Sequence, residues 1–386
     1  MKQNADIYLD NAATTHPWPE VVHAVTRVMI GGVGNASSRH RQGLRASREI
    51  VCVEEKLLDI VGGGPWRVIF TSGGTEADTL AVVGSVPKGK RKDIVATTVE
   101  HAAVDESCRA AVARGGAYTV VSAGERGVVS TDDILKSVTD TTGLVSMVYA
   151  AGEMGTLQPV SATAKAVKAG YPKCRFHVDA VQALGRQKRL ELPPEVDMVS
   201  LSAHKIHGPA GVGVLLVRPT LGVKPILYGG DQQRGTRPGT LNVAGIAGFG
   251  AALDALAALR EEGVSQMAEL AATLIDGVAA LVDGARPLGD AAARTPGMAV
   301  IAFSGVESEV LLHALEDRGV LASSSSACHS TRKTPPRCLV DAGLRHGEGA
   351  VRFSLSFDTT PADITAAIAA IAESVRAVRS GRTGLS

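Results

Sequence analysis

The stretch Leu201-Ser202-Ala203-His204-Lys205-Ile206-His207-Gly208-Pro209 places a lysine directly behind a short apolar run, Met198–Ser202. A run of that length, bounded by charge on one side and by Gly and Pro on the other, reads as a buried strand. A lysine among Ser, His and Gly at a strand end is unusual for a surface lysine. Its amine can form a Schiff base with a carbonyl once the environment keeps part of it unprotonated. His204 and His207 suggest a metal as the other use of the segment. Ligand sets need three or four groups, and no third histidine or carboxylate lies nearby in the sequence.

Six further runs have the same character: Val68–Thr71, Asp93–Thr97, Thr119–Ser122, Leu144–Ala150, Arg175–Val178 and Gly213–Val217. Helical spacing marks Glu76–Val83, Ala103–Arg114, Thr131–Ser137 and Val160–Ala169 between them. This alternation predicts an α/β fold with a mainly parallel seven-stranded sheet covered on both faces. Such sheets bind ligands beyond the carboxyl ends of their strands. After Asn242 the pattern changes to a long Ala/Leu-rich helix through Leu281. Strands at Met298–Phe303 and Val351–Phe357 and helices at Ser308–Arg318 and Pro361–Val378 then predict a smaller α+β domain. A chain of 386 residues suits two domains. The pattern puts a large domain at 15–255 and a small one at 1–14 and 256–386.

The composition excludes several classes. Forty basic and 39 acidic residues leave a formal net charge of +1, which favours neither nucleic acid nor an anionic membrane as partner. Lys88-Gly89-Lys90-Arg91-Lys92 reads as a solvated loop. The N-terminus has no apolar signal core, and charges interrupt every Ala-rich stretch. Five cysteines with no CxxC spacing fit a reducing cytoplasm, with room for one chemically special thiol.

Two more segments carry chemistry. Thr71-Ser72-Gly73-Gly74-Thr75-Glu76 follows a strand and opens a helix. Its glycines let backbone amides approach an anion at a helix N-terminus. A plain Thr-capped turn is the other reading. Phe176-His177-Val178-Asp179-Ala180-Val181-Gln182 ends a strand on a carboxylate. Asp179 suits a cationic ring nitrogen, or else caps the next helix. A phosphate cup, a ring-nitrogen carboxylate and a Schiff-base lysine on successive strands together describe a site for pyridoxal 5'-phosphate (PLP).

The chain resembles the cysteine desulfurases of the NifS/IscS type, class V aminotransferases among the fold-type I PLP enzymes. The likeness starts at Tyr8-Leu-Asp-Asn-Ala-Ala-Thr-Thr15 and Gly34-Asn-Ala-Ser-Ser38. It continues through the Ser-Gly-Gly-Thr-Glu motif, Val99-Glu-His101, His177-Val-Asp179 and Ala203-His-Lys205. It ends with Arg237-Pro-Gly-Thr240, Ser326-Ala-Cys328 and Val351-Arg-Phe-Ser354. The resemblance implies that Lys205 carries the cofactor and shuttles protons. Asp179 would bind the ring nitrogen, His101 would stack on the ring, and Gln182 would bind the phenolic oxygen. Gly74, Thr75, Ser202 and His204 would hold the phosphate, with Thr240 completing the cup of a partner subunit in a homodimer. Arg352 would clamp the substrate carboxylate, and Asn35 would lie in the substrate-side loop. Cys328 would take the sulfur of L-cysteine as a persulfide, release alanine and pass the sulfur to an acceptor protein.

The long loop from Cys328 through Thr334-Pro-Pro336 resembles the NifS/IscS branch more than the SufS branch. The neighbouring basic residues Arg332 and Lys333 suit a reactive thiolate. Cys52, Cys108 and Cys174 read as inert, and Cys338 as structural with a lesser prospect as a relay thiol. Ala-Cys-His-Ser is similar to selenocysteine lyases. One segment departs from the family: Ala151-Gly152-Glu153-Met154-Gly155 stands where the family reads Asn-Asn-Glu-x-Gly. Gly152 removes a donor to the cofactor and substrate carboxylate and leaves space. A selenocysteine lyase or another PLP-dependent C–S lyase, epimerase or transaminase is therefore the alternative. A non-catalytic docking subunit conflicts with intact Lys205, Asp179, His101 and Arg352.

Overall fold

The computed structural model describes residues 6–86, 89–113, 115–324 and 336–381. The chain enters through a two-residue strand, β1 (Ile7–Tyr8), and two helices, α1 (Pro19–Ile30) and α2 (Arg41–Ile60). Then come β2 (Arg67–Thr71), α3 (Gly74–Ser85), β3 (Asp93–Thr97), α4 (Ala102–Val112) and β4 (Tyr118–Val121). The alternation continues with α5 (Thr131–Ser137), β5 (Thr142–Val148), α6 (Val160–Gly170), β6 (Arg175–Asp179), β7 (Met198–Ser202) and β8 (Gly213–Val217).

β2 to β8 form one seven-stranded sheet in the order β2-β8-β7-β6-β5-β3-β4. β8 pairs antiparallel with both neighbours, and all other pairings are parallel. The expected mainly parallel α/β sheet is therefore present. Its strands are apolar on both sides because both sides are covered. In β8, Val214 and Leu216 join one core cluster while Leu215 and Val217 join another on the opposite face. Strand order reverses between β5 and β3, the place where open sheets of this kind leave a crevice. The reversed strand β8 turns the segment after β7 into a closed loop, tied by the Ala203 amide to Val212 O at 3.1 Å. Lys205 sits in that loop.

The rest of the chain is α7 (Val243–Leu281), β9 (Ala285–Pro287), β10 (Met298–Ser304), α8 (Ser308–Glu316), β11 (Val320–Leu321), β12 (Ser323–Ser324), α9 (Arg337–Asp341), β13 (Glu348–Ser354) and α10 (Pro361–Arg379). β9, β10, β12 and β13 make a second, antiparallel sheet, and β11 pairs with β1. The sequence placed the last long strand at Val351–Phe357, three residues late. Glu348, Gly349 and Ala350 have weak strand propensity, but they pair with Ser304, Phe303 and Ala302 of β10. Tertiary pairing overrides propensity there.

The unbroken α7 serves both cores. Ile246, Phe249, Leu253 and Leu256 join the cluster under the large sheet, and Leu270, Leu274, Ile275 and Val278 join that of the second sheet. Its glycines allow close packing: a Cβ on Gly250 would meet Val53 Cγ2 of α2 at 2.5 Å. By length and composition α7 could cross a membrane, but half of its most apolar window is buried inside the protein. Phe249 is fully buried. Phe249→Ala should cost about 3–5 kcal/mol of stability, read from urea unfolding; a loss below about 1 kcal/mol would show that Phe249 packing does not hold α7 on the large-sheet core.

Candidate active site

Five strands end at one cavity of about 290 Å³ on the carboxyl edge of the large sheet. β2 delivers Gly74 and Thr75, β3 delivers Glu100 and His101, and β5 delivers Val148 and Gly152. β6 delivers Asp179, Val181 and Gln182, and β7 delivers His204 and Lys205. Arg352 of β13 and the backbone of Ala12 and Ala13 close the far side.

At one end, the turn into α3 is held by Glu76, which accepts from the Ser72 amide at 2.6 Å and pairs with Arg237 at 2.8 Å. A Cβ on Gly74 would lie 2.9 Å from Val181 Cγ2 and 3.8 Å from Ser202 Cβ. Glycine therefore keeps the helix N-terminus open beside Ser202. Ser202 Oγ is buried and has no partner among the described residues, a hydroxyl placed to donate to an anion. His204 Nδ1 lies 3.1 Å from Thr14 Oγ1, and burial pushes its pKa down to about 4, helped by Lys205. It stays neutral at ordinary pH.

At the other end, Asp179 terminates β6, nearly inaccessible, and accepts from the Val181 amide at 2.9 Å. Burial raises its pKa, while His101 and Lys205 oppose that rise. His101 caps α4 through its Nδ1, which accepts from the Ala103 amide at 3.1 Å. Lys205 Nζ donates to Ala12 O at 2.5 Å and to Ala13 O at 2.7 Å. Gln182 Nε2 also donates to Ala12 O, at 2.7 Å, and its Oε1 is buried without a partner among the described residues. Arg352 is buried, with Nη2 on Asp10 Oδ1 and Nη1 on Gly152 O, both at 3.0 Å. Its Nε has no partner among the described residues.

The structure thus gathers Lys205, His101, Gly74, Thr75, Asp179, Gln182, His204 and Arg352 around one cavity, with Ser202 buried beside Gly74. Two expected residues stand apart. Asn35 is exposed and accepts from the Ser37 amide, and Thr240 lines a separate pocket with Ser72 and Arg237. Cys328 lies outside the described residues. Sequence reasoning missed Asp78 and Glu100, two carboxylates that also line the cavity. It gave no role to the Ala12 and Ala13 carbonyls, whose motif was read only as a likeness. An Asp inside the apolar run after Gly74–Glu76 was the available signal for Asp78.

The aminotransferase class-V family profile matches residues 7–366. The chain belongs to that family. It is 36% identical to a cysteine desulfurase of Trichormus azollae, covering 97% of this chain and 94% of that protein. It is 38% identical to a cysteine desulfurase of Cereibacter sphaeroides, covering 93% and 92%. A solved NifS-like protein superposes with a TM-score of 0.88 at 30% identity, covering 95% of this chain and 98% of its own. The resemblance to class V cysteine desulfurases of the NifS/IscS type therefore stands, and so does the fold-type I architecture.

Beneath the cavity floor of this class V chain, the His177 ring lies fully buried between Ser146 Oγ at 2.8 Å and Ser200 Oγ at 2.9 Å. Burial pushes its pKa down from 6.5 to about 3. The unfolded chain takes up this proton below about 6.5, whereas the folded one does not. Stability should therefore fall as pH drops from there towards 3, by up to about 1.4 kcal/mol per pH unit from this group. His177→Asn should remove that part of the acid slope in urea midpoints, and an unchanged slope would refute the assignment.

Proposed function

We propose that the chain is a PLP-dependent cysteine desulfurase that moves sulfur from L-cysteine onto Cys328. What carries the reading is the convergence of Lys205, Asp179, His101 and an anion cradle in one cavity of a class V aminotransferase. The residues fit the cofactor. Ser202 Oγ lacks a partner beside the open turn at Gly74 and Thr75, which suits a phosphate. Asp179, buried in the same cavity, needs a cation, and a protonated ring nitrogen would supply one. Lys205 reaches that cavity too.

PLP, when bound, supplies an electron sink for the bonds around the substrate Cα. The protein residues do the rest. Asp179 would hold the proton on the ring nitrogen, and His101 would stack on the ring. Gln182 turns its amide towards the phenolic oxygen, and Gly74, Thr75, Ser202 and neutral His204 hold the phosphate. Lys205 holds the cofactor and carries protons to and from the substrate. Arg352, aligned by Asp10 and Gly152 O at the cavity wall, would take the substrate carboxylate. Cys328 attacks the substrate sulfur as the C–S bond breaks, so that a thiol and L-cysteine become a persulfide and L-alanine. The sulfur then passes to an acceptor protein.

The chain acts as a homodimer in this reading. Thr240 of each subunit completes the other's phosphate cup, and exposed Met29, Ile30, Leu44, Val51 and Tyr228 supply apolar surface for the contact. The large domain is assigned to 15–255, and the small domain to 1–14 and 256–386. Cys52, Cys108, Cys174 and Cys338 are free thiols, in keeping with a reducing cytoplasm. The Cys338 thiol donates to Glu153 at 3.1 Å, and burial raises its pKa, which suits a structural rather than a reactive cysteine.

Mass spectrometry after a single turnover with L-cysteine should show one added sulfur on Cys328 and stoichiometric alanine. Cys328→Ser should show neither. Pyruvate and ammonia instead would indicate β-elimination and refute the desulfurase. Arg352→Lys should raise KM for L-cysteine about tenfold or more, through the lost bidentate contact, with a smaller change in kcat; an unchanged KM would remove Arg352 from the clamp.

A further inference from the structure

Glu100 has no part in the roles above, yet it lines the same cavity as Lys205 and Asp179. It ends the turn between β3 and α4, directly before His101. Both side-chain hydrogen bonds reach one oxygen. Thr97 Oγ1 donates to Oε1 at 2.7 Å, and the Val148 amide donates to it at 3.0 Å. Thr97 ends β3 and Val148 ends β5, so Glu100 staples the two strands that flank the reversal of sheet order. Oε2 is buried and has no hydrogen-bond partner among the described residues.

An ionised carboxylate fits this setting poorly. It spreads charge over both oxygens, and a buried, unpartnered anionic oxygen is costly. The titratable groups it interacts with are acidic: Asp179 of β6, Asp78 of α3, Cys108 of α4 and Tyr118 of β4. The help of His101 and Lys205 goes to Asp179. Burial, with a contribution from Asp179, pushes the Glu100 carboxyl up to about 8.

We infer that Glu100 is a positioning residue in its neutral acid form, pinning the turn that presents His101 and leaving Asp179 as the anion of the cavity floor. The role given to Asp179 rests on the cofactor reading above. Only one oxygen of Glu100 needs to accept, so an amide keeps both the Thr97 and the Val148 hydrogen bonds.

The holoenzyme, compared with Glu100→Gln and Glu100→Ala, tests this. Infrared difference spectra of wild type against Glu100→Gln near neutral pH should show a carboxylic-acid carbonyl band that the variant lacks. PLP affinity, from titration of the visible cofactor band, should stay within about threefold in Glu100→Gln. It should fall about tenfold or more in Glu100→Ala, which leaves the Val148 amide without its acceptor. If the Ala variant does not fold, the infrared band and the Gln variant decide alone. A carboxylate band in place of the acid band overturns the inference, and so does a Gln variant with cofactor affinity weakened tenfold. A wild type that shows the acid band but binds no PLP would sink the cofactor reading while supporting the proton on Glu100.

Discussion

A carboxylate buried at the end of β6 is the constraint on which the rest of the site depends. Asp179 cannot keep a charge there without cationic help. The help comes from two neighbouring strand ends, His101 after β3 and Lys205 after β7. Lys205 comes from β7, which pairs with β6, and His101 from β3, on the far side of β5. Burial pushes the other carboxylates of the crevice, Asp78 and Glu100, towards their neutral forms, and Asp179 adds to that push on both. Burial raises all three carboxyls, and of the three Asp179 is the one whose pKa His101 and Lys205 pull back down.

The N-terminal segment closes this arrangement. Ala12 O accepts from both Lys205 and Gln182, and Asn11 and Ala12 bond to Ser354 of β13. Asp10, from the same strap, orients Arg352. Residues from the first dozen and the last forty positions therefore meet over groups from the middle of the chain. The 39-residue α7 makes this meeting possible, because one rigid helix packs against both cores.

Much of this was legible in the sequence. The seven strands could be read because each is buried on both faces, so each appears as a short apolar run. Lys205, Asp179 and Gly74 could be read because each sits next to such a run, where chemistry gathers in parallel sheets. β13 was misplaced because its first residues owe their strand form to β10 and not to their own preference. Glu100 was missed because nothing local separates a buried carboxylate from an exposed one, and for Asp78 the apolar run around it was the one local sign.

The sequence by itself determined the fold class, the strand ends and the family, since all three rest on local patterns of burial and short motifs. Only the tertiary structure decided which of those strand ends share a cavity. It alone placed two further carboxylates beside Asp179 and put the Ala12 carbonyl between Lys205 and Gln182. The reason is physical: charge, hydrogen bonding and pKa depend on distance and burial in space, and these contacts join segments from 79 to 193 residues apart.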